Sequence, residues 1–370
     1  MIDFETKKPE MIAVLKKLVE MESPSNNKAA VDRVGHVVAD HCRQLGAHVE
    51  IVPNNLTGDH IIARWGSGPD DILLMHHMDT VFPIGTLERM PFYEKGEKIF
   101  GPGVLDMKGG LVISLAAIAA LKESGALTRP VTLLATSDEE IGSDTSRELI
   151  TTLAKTAALV LVLESGLLDG SLKTWRKGVG DFTVTIRGRA AHAGGAHEQG
   201  RNAIEEMAHQ ILAIQSMTDY ARGTTLNVGV IRGGTVSNVV PEEAVAVVDF
   251  RVLVPEEAGR IATAMKALKP VTPDTSIEVK GGLNRPPMPA DDLMQATFEK
   301  ARRIAAAAAM QITAGGSGGG SDGNFVAPLG IPVLDGMGTY GEGFHSEREY
   351  IFTRSLPERA ALVAELIRNW

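Results

Sequence analysis

Residues 71–80, DILLMHHMDT, pass from an unbroken apolar run straight into two imidazoles and a carboxylate. Four consecutive apolar side chains, Ile72 to Met75, predict a strand buried on both faces, the kind found where helices cover a parallel sheet. His76 to Asp79 then falls at the strand's C-terminal end, where open α/β sheets form their ligand crevice. The pattern recurs. In VTLLATSDEE, residues 131–140, an apolar strand runs into Asp138-Glu139-Glu140, and in ALVLVLES, residues 158–165, it runs into Glu164.

Around these strands the chain alternates. Helical periodicity over residues 9–21 and 29–46 leads into strands at 48–53, 60–64 and 71–77. Residues 109–125 and 143–156 are expected as helices between the later strands. The expected fold is therefore α/β, a mainly parallel, helix-covered sheet. After Gly178 the texture changes to alternating strands (181–187, 226–231, 244–254, 276–281) and two helices (202–215, 256–268), an inserted α+β domain. A stiff RPPMP, residues 285–289, leads back to a helix (291–310), a glycine-rich loop (315–320), a short strand (331–334) and a last helix (355–368). These shifts divide the chain into a catalytic domain in two segments, 1–179 and 288–370, around an insert at 180–287.

The composition excludes several roles. With 37 Lys and Arg against 46 Asp and Glu, the 370-residue chain carries a net charge of −9 and no basic block, which argues against nucleic-acid binding. The longest apolar run, residues 111–121, is about half a membrane span. A single cysteine, Cys42, rules out an intrachain disulfide and a thiolate metal cage. The charged opening MIDFETKKPE lacks a secretory pattern, so a cytoplasmic location is expected.

Two further stretches carry chemistry. GPGVLDMKGG, residues 101–110, sets Asp106 in a glycine-rich turn before a helix, and FHSEREY, residues 344–350, sets His345 in a loop after the last strand. His77, Asp106, Glu140, Glu164 and His345 form a sulfur-free donor set suited to Zn²⁺, or to Mn²⁺ or Co²⁺ as substitutes. Five ligands are too many for one catalytic ion with an open position, and fit two ions sharing a bridging carboxylate. Any one of them alone would read as a solvated loop charge or a helix cap. Strand alternation puts His77 and Asp79 on one side, so His77 is the expected ligand, Asp79 orients its ring, and His76 is structural. Glu139, held beside ligand Glu140, is the candidate general base and acid. The junction of the Gly315 to Gly320 run with Ser321-Asp322 reads either as a flexible linker or as backbone N–H groups facing an anion.

Taken in order, His77-Met-Asp79-Thr-Val81, Gly101-Pro-Gly-Val-Leu-Asp106-Met-Lys-Gly-Gly110, Ser137-Asp-Glu139-Glu140-Ile-Gly142, Glu164-Ser165, Gly320-Ser321-Asp322-Gly323-Asn324 and Phe344-His345-Ser346 resemble the M20 metallopeptidases, dinuclear zinc aminoacylases and carboxypeptidases. The chain is most similar to the bacterial glutamate carboxypeptidase branch, which releases C-terminal glutamate from folates and related N-acyl compounds. The resemblance implies that Asp106 bridges two Zn²⁺ ions, with His77 and Glu164 completing one site and Glu140 and His345 the other. It also implies Glu139 as base, a cis Asp106–Met107 bond, and an insert acting as lid and dimerisation domain. His192, in Gly188-Arg-Ala-Ala-His192-Ala-Gly194, would steady the oxyanion in the partner subunit's site. Asn238 and Arg251 fall where the family binds the terminal carboxylate, although Arg251 also reads as an ion-pair partner on a strand face. The glycine loop, with Gly319 and Gly320, would help hold that carboxylate, and Arg285 and Ser321 fall where the branch places side-chain contacts, favouring an acidic leaving residue. The branch's lysine has no clear match in residues 165–173, which differ in length. The expected substrate is an N-acyl amino acid or dipeptide, with an N-acyl amino acid deacylase as the alternative activity and a non-catalytic, dimeric binding protein as the reading from another class.

Overall fold

The structure, a computed structural model, describes residues 2–370. They divide into two units: residues 2–175, 290–317 and 321–370, and residues 176–289 with 318–320.

The first unit is built on a six-stranded sheet in the spatial order His48–Val52, His60–Trp65, Val131–Thr136, Asp71–His77, Ala157–Val162, Val333–Leu334. The last four strands pair in parallel, and the first two add an antiparallel edge. Its fold class is thus α/β, with a mainly parallel central sheet. Every residue of Val131–Thr136 is buried, as expected for a strand covered on both faces. The helix Gly109–Glu123 is apolar on all sides because it is surrounded: Leu111, Ile113, Ala117, Ile118 and Leu121 are fully buried. Among the described residues Val104–Glu123 is the one segment long and apolar enough to cross a membrane, and it lies mostly inside this core.

The helix expected over residues 143–156 is shorter. A single turn, Glu139–Ile141, precedes the helix Arg147–Ala154, because Gly142 (φ 106°) and Ser143 (φ 58°) are left-handed and break the path between them. The glycine-rich run is not one open loop either. Ala314–Ser317 is a strand, and at Gly316 a Cβ would lie 1.8 Å from the Trp175 ring, so the indole's approach demands glycine. A small sheet of Tyr93–Lys95, Lys98–Phe100, Gly341–Glu342 and Tyr350–Phe352 was not foreseen, since strands of two or three residues show no periodicity.

The second unit is a four-stranded antiparallel sheet in the order Thr225–Gly233, Glu243–Val252, Gly178–Arg187, Ser276–Arg285. Phe182, Val184, Ile186, Ala246, Val248 and Phe250 point to one face, where Met207, Ile214, Ile261 and Met265 of the helices Ala203–Gln215 and Pro255–Lys266 cover them. Asn202 caps the first of these helices, accepting from the backbone N–H of Ile204 and Glu205.

Candidate metal centre

Parallel pairing places two strand ends side by side, with His77 opposite Thr136 and Met75 opposite Val162. The chain after Thr136 delivers Glu139 and Glu140, and the chain after Val162 delivers Glu164. Asp106 arrives from the turn before helix Gly109–Glu123, where Gly103 (φ 75°) gives the backbone its bend and the Asp106–Met107 peptide is cis. His345 is itself left-handed at φ 55°, an uncommon conformation for a non-glycine residue and one that recurs at functional positions.

These side chains meet around one carboxylate. Asp106 Oδ1 lies 3.0 Å from His77 Nε2, which is 3.3 Å from Glu164 Oε1. Asp106 Oδ2 lies 3.2 Å from His345 Nε2, which is 3.3 Å from Glu140 Oε2. Donor atoms bound to one tetrahedral ion at about 2.0–2.1 Å stand roughly 3.3 Å apart. The contacts of His77 and of His345 thus have the spacing of ligands around a cation, Asp106 takes part in both, and ligand atoms of His77, Asp106 and Glu140 also lie within 4.8 Å of one another. Glu139 is alongside: a carboxylate oxygen of Glu139 lies within 4.8 Å of ligand atoms of His77 and Glu164.

Electrostatics point the same way. Burial opposes a charged His77, but its hydrogen bonds to Asp106, Asp79 and Glu164 outweigh burial and raise its pKa well above the usual imidazole range. His345 is raised to about 10 by hydrogen bonds to Asp106 and Glu140. Burial, with repulsion from Asp106, raises Glu140 to about 7. Glu140 Oε1 is buried with no hydrogen-bond partner, an acceptor with two lone pairs and nothing to receive. A carboxylate-rich cluster with an orphaned oxygen, two imidazoles and no sulfur fits hard or borderline divalent cations.

Neighbouring groups fix the donors. His77 Nδ1 donates to the main-chain carbonyl of Asp79 at 3.0 Å, with Asp79 Oδ1 at 3.4 Å, so Nε2 is left to face the centre. The fully buried Asp79 carboxylate accepts from the backbone N–H groups of Glu139 (3.3 Å) and Glu140 (3.2 Å), and so aims that turn as well as the imidazole. His76 is buried with neither ring nitrogen bonded, and burial lowers its pKa to about 3, so it is neutral core.

Three supporting residues were missed from sequence. Ser25 Oγ donates to Asp79 Oδ2 at 2.7 Å. Glu349 Oε1 accepts from the backbone N–H groups of Leu105 (2.8 Å) and Asp106 (3.2 Å); burial, with repulsion from Asp106, raises its pKa to about 8. Lys108 is 1% exposed, donates to the Met21 carbonyl, and is lowered to about 7 by burial. Only Glu349 carried a signal, its place four residues after His345.

In the second unit His192 and Asn238 are neighbours: His192 pairs with Val239, and Ala193 N–H donates to the Asn238 carbonyl. His192 Nδ1 accepts from the N–H groups of Gly194 (3.1 Å) and Gly195 (2.9 Å), so its Nε2 carries the proton and is a donor. Arg251 makes a bidentate pair with Asp249 two residues before it, at 2.8–3.1 Å. Arg285 is buried and donates to Asn284 Oδ1. The carbonyls of Gly319 and Gly320 accept from Arg176 Nη1 at 3.2 and 2.9 Å.

Ser321, in the first unit, is fully buried. Its hydroxyl donates to Asp335 Oδ2, and its N–H donates to Asn324 Oδ1. The expected anion-facing N–H groups are thus turned inward here: the Gly323 N–H also goes to Ser321 Oγ.

Known proteins with this architecture and sequence place the chain. The family model "Peptidase family M20/M25/M40" matches residues 73–369. Carboxypeptidase G2 from Pseudomonas sp. (strain RS-16) is 32% identical over 376 residues, covering 98% of this chain and 89% of that protein. Acetylornithine deacetylase from Proteus mirabilis is 30% identical over 254 residues, covering 63% of this chain and 64% of that protein. The crystal structure of aminopeptidase PepT from Bacillus cereus superposes with a TM-score of 0.76 at 26% identity, covering 98% of each chain. With a donor cluster at its sheet edge and a family match over most of its length, the chain is a hydrolase belonging to peptidase family M20/M25/M40.

Proposed function

We propose that the protein binds two divalent cations, Zn²⁺ in the first place, and hydrolyses the amide bond joining an acyl or peptidyl group to a C-terminal amino acid, with an acidic leaving residue preferred. The observation that carries this reading is the shared Asp106 carboxylate, one oxygen turned to His77 and the other to His345. His77, Asp106 and Glu164 would hold one ion, and Asp106, Glu140 and His345 the other. When bound, such a pair supplies Lewis-acid polarisation of the carbonyl and makes a water molecule acidic enough to be a nucleophile near neutral pH.

The chain's own groups supply the rest. Glu139 removes a proton from the attacking water and later delivers one to the leaving nitrogen, so that amide and water yield a carboxylic acid and an amine. Asp79 holds Glu139 and Glu140 through their backbone N–H groups. His192, protonated on Nε2, is suited to donate to the developing oxyanion, in a homodimer from the partner's lid. Arg251 is suited to fork a substrate carboxylate by exchanging Asp249 for it, with Asn238 beside His192.

The likeness to carboxypeptidase G2 supports the acidic preference, and the likeness to an acetylornithine deacetylase keeps a deacylase as the second reading. A substrate panel separates them: one acyl group on several amino acids, then several acyl groups on one amino acid, with turnover following the amino acid in the first case. Glu139→Ala should retain both metal equivalents and lose turnover by roughly 100-fold or more. Full activity in that variant removes Glu139 from the mechanism, and a protein that binds no metal removes the proposal.

A further inference from the structure

Glu139 and Glu140 both ride on residues 137–145, the segment between the strand Val131–Thr136 and the approach to the helix Arg147–Ala154. Left-handed backbone at Gly142 and Ser143 interrupts its path, so regular secondary structure does not hold it. Asp79 grips it in the middle, through backbone N–H groups at 3.3 and 3.2 Å. Its two ends need holding as well.

One imidazole reaches both of them. His60 opens the neighbouring strand His60–Trp65, whose ladder with Val131–Thr136 ends at Ile61 opposite Ala135. Its Nδ1 lies 3.2 Å from Ser137 Oγ and its Nε2 lies 3.2 Å from Thr145 Oγ1, the first and last side chains of the segment. Each hydroxyl is tied again. Ser137 Oγ donates to the Gly58 carbonyl and meets Thr57 Oγ1 at 3.1 Å. Thr145 Oγ1 donates to Asp138 Oδ2 at 2.7 Å and accepts from Asn54 Nδ2 at 2.7 Å. Asp138 Oδ2 also accepts the Thr145 N–H at 2.8 Å, which draws the end of the segment back onto its start.

His60 is 2% exposed, so it is out of a substrate's reach. Burial lowers its pKa against the pull of the Asp138, Asp79, Asp322 and Asp59 carboxylates, and the ring is neutral at neutral pH. A neutral imidazole carries one N–H and one lone pair, and a hydroxyl can answer either. Such a ring buries no charge, and a connected polar network of this kind specifies one arrangement of the groups it joins.

We propose that His60 is a positioning residue: it ties both ends of residues 137–145 to the adjacent strand and thereby sets where Glu139 and Glu140 stand at the metal centre. The catalytic side of this inference rests on the reading of Glu139 as base and Glu140 as ligand; the tie itself does not.

Amide hydrogen exchange of the metal-free protein and hydrolysis kinetics of the metal-loaded protein test it together. In His60→Leu, residues 138–145 should exchange about tenfold faster or more while residues 71–79 keep the wild-type rate. Its kcat should fall about tenfold or more with KM within about twofold, and His60→Gln, which restores an amide donor and acceptor, should recover part of that loss. Thr145→Val removes the far hydroxyl and leaves the ring, and should show the same pattern. Because the two substitutions cut one tie, the double variant should lose less kcat than the product of the single losses. Unchanged exchange over residues 138–145 overturns the proposal, as does faster exchange spread over the whole first unit, or losses that multiply, either of which would make His60 ordinary core. A wild type that binds no metal and hydrolyses no amide would fell the reading of the centre, and the exchange result would still decide the tie.

Discussion

Gly110→Ala adds one methyl group where the backbone beside Glu164 leaves no room for it. A Cβ at Gly110 would sit 2.2 Å from the Leu163 carbonyl oxygen and 2.9 Å from Leu163 Cβ and Met107 Cε, whereas ordinary contact begins at 3.4 Å. The Leu163–Glu164 backbone has nowhere to retreat, since on its other side a Cβ at Gly338 would already be 2.1 Å from the same oxygen. Helix and strand must part by about 1.2 Å, the shortfall at the Leu163 oxygen. Overpacking of this kind costs about 1–3 kcal/mol, against which the helix preference for alanine over glycine returns about 0.5–1 kcal/mol. The net loss should lower Tm by a few degrees, at about 2–4 °C per kcal/mol. The larger effect is local: Glu164 is the next residue, and an ångström of misplacement costs about 100-fold in rate. Gly259→Ala is the matched control, because nothing lies within 4 Å of a Cβ there and the helix should gain stability. Hydrolysis kinetics, metal content and thermal melts on both variants make the comparison. Wild-type kcat/KM with full metal content in Gly110→Ala would show that the strand end tolerates displacement, and the rigidity argument would be wrong.

The shared carboxylate predicts unequal metal losses: Asp106→Ala should lose both equivalents by elemental analysis, whereas Glu164→Ala should keep one, held by Asp106, Glu140 and His345. Equal losses would argue against a bridge. Asp79→Asn keeps the shape but presents an amide to a site that needs acceptors for Ser25 Oγ and two backbone N–H groups, so activity or metal affinity should fall about 10–100-fold; unchanged kinetics would reduce Asp79 to packing. In the second unit, hydrogen bonds from Arg260 and Thr224 hold Glu257 at about 2 in place of its ordinary 4.5. Its folded pKa is depressed, so its stabilisation is complete above about pH 4.5 and fades as pH falls toward 2. Glu257→Gln should therefore lower Tm at neutral pH and lose less of it on acidification than the wild type; parallel Tm-versus-pH curves would contradict this.

What the sequence shows and what it hides divide along chain separation. The apolar strands and the acidic or imidazole residues at their ends are local patterns, readable in windows of about ten residues, and they give the sheet and the proposed ligands His77, Glu140 and Glu164. Contacts between distant segments leave no such trace. Ser25 and Asp79 are 54 positions apart, and Glu349 and Asp106 are 243 apart, so neither partner looks unusual in its own neighbourhood. Ser321 shows the complementary case: a serine after a glycine run has the look of an anion-facing turn, and the fold gives its hydroxyl a partner in Asp335, 14 positions away.

The same division bears on how the centre is assembled. His77 ends the middle of three adjacent strands and Glu140 and Glu164 follow its two neighbours, so pairing in register sets the strand leading to each one spacing, about 4.8 Å, from that of His77. Asp106 and His345 have no such guarantee, because one sits on a turn and the other on a left-handed loop residue. Glu349 supplies the missing tie. It belongs to the same loop as His345 and accepts from the N–H groups of Leu105 and Asp106, so the segment that brings the second imidazole also grips the backbone of the bridging carboxylate. Burial and repulsion from Asp106 oppose ionisation of Glu349 and raise its pKa to about 8. In return, its two hydrogen bonds lock together the segments that carry Asp106 and His345, which are separated by most of the chain.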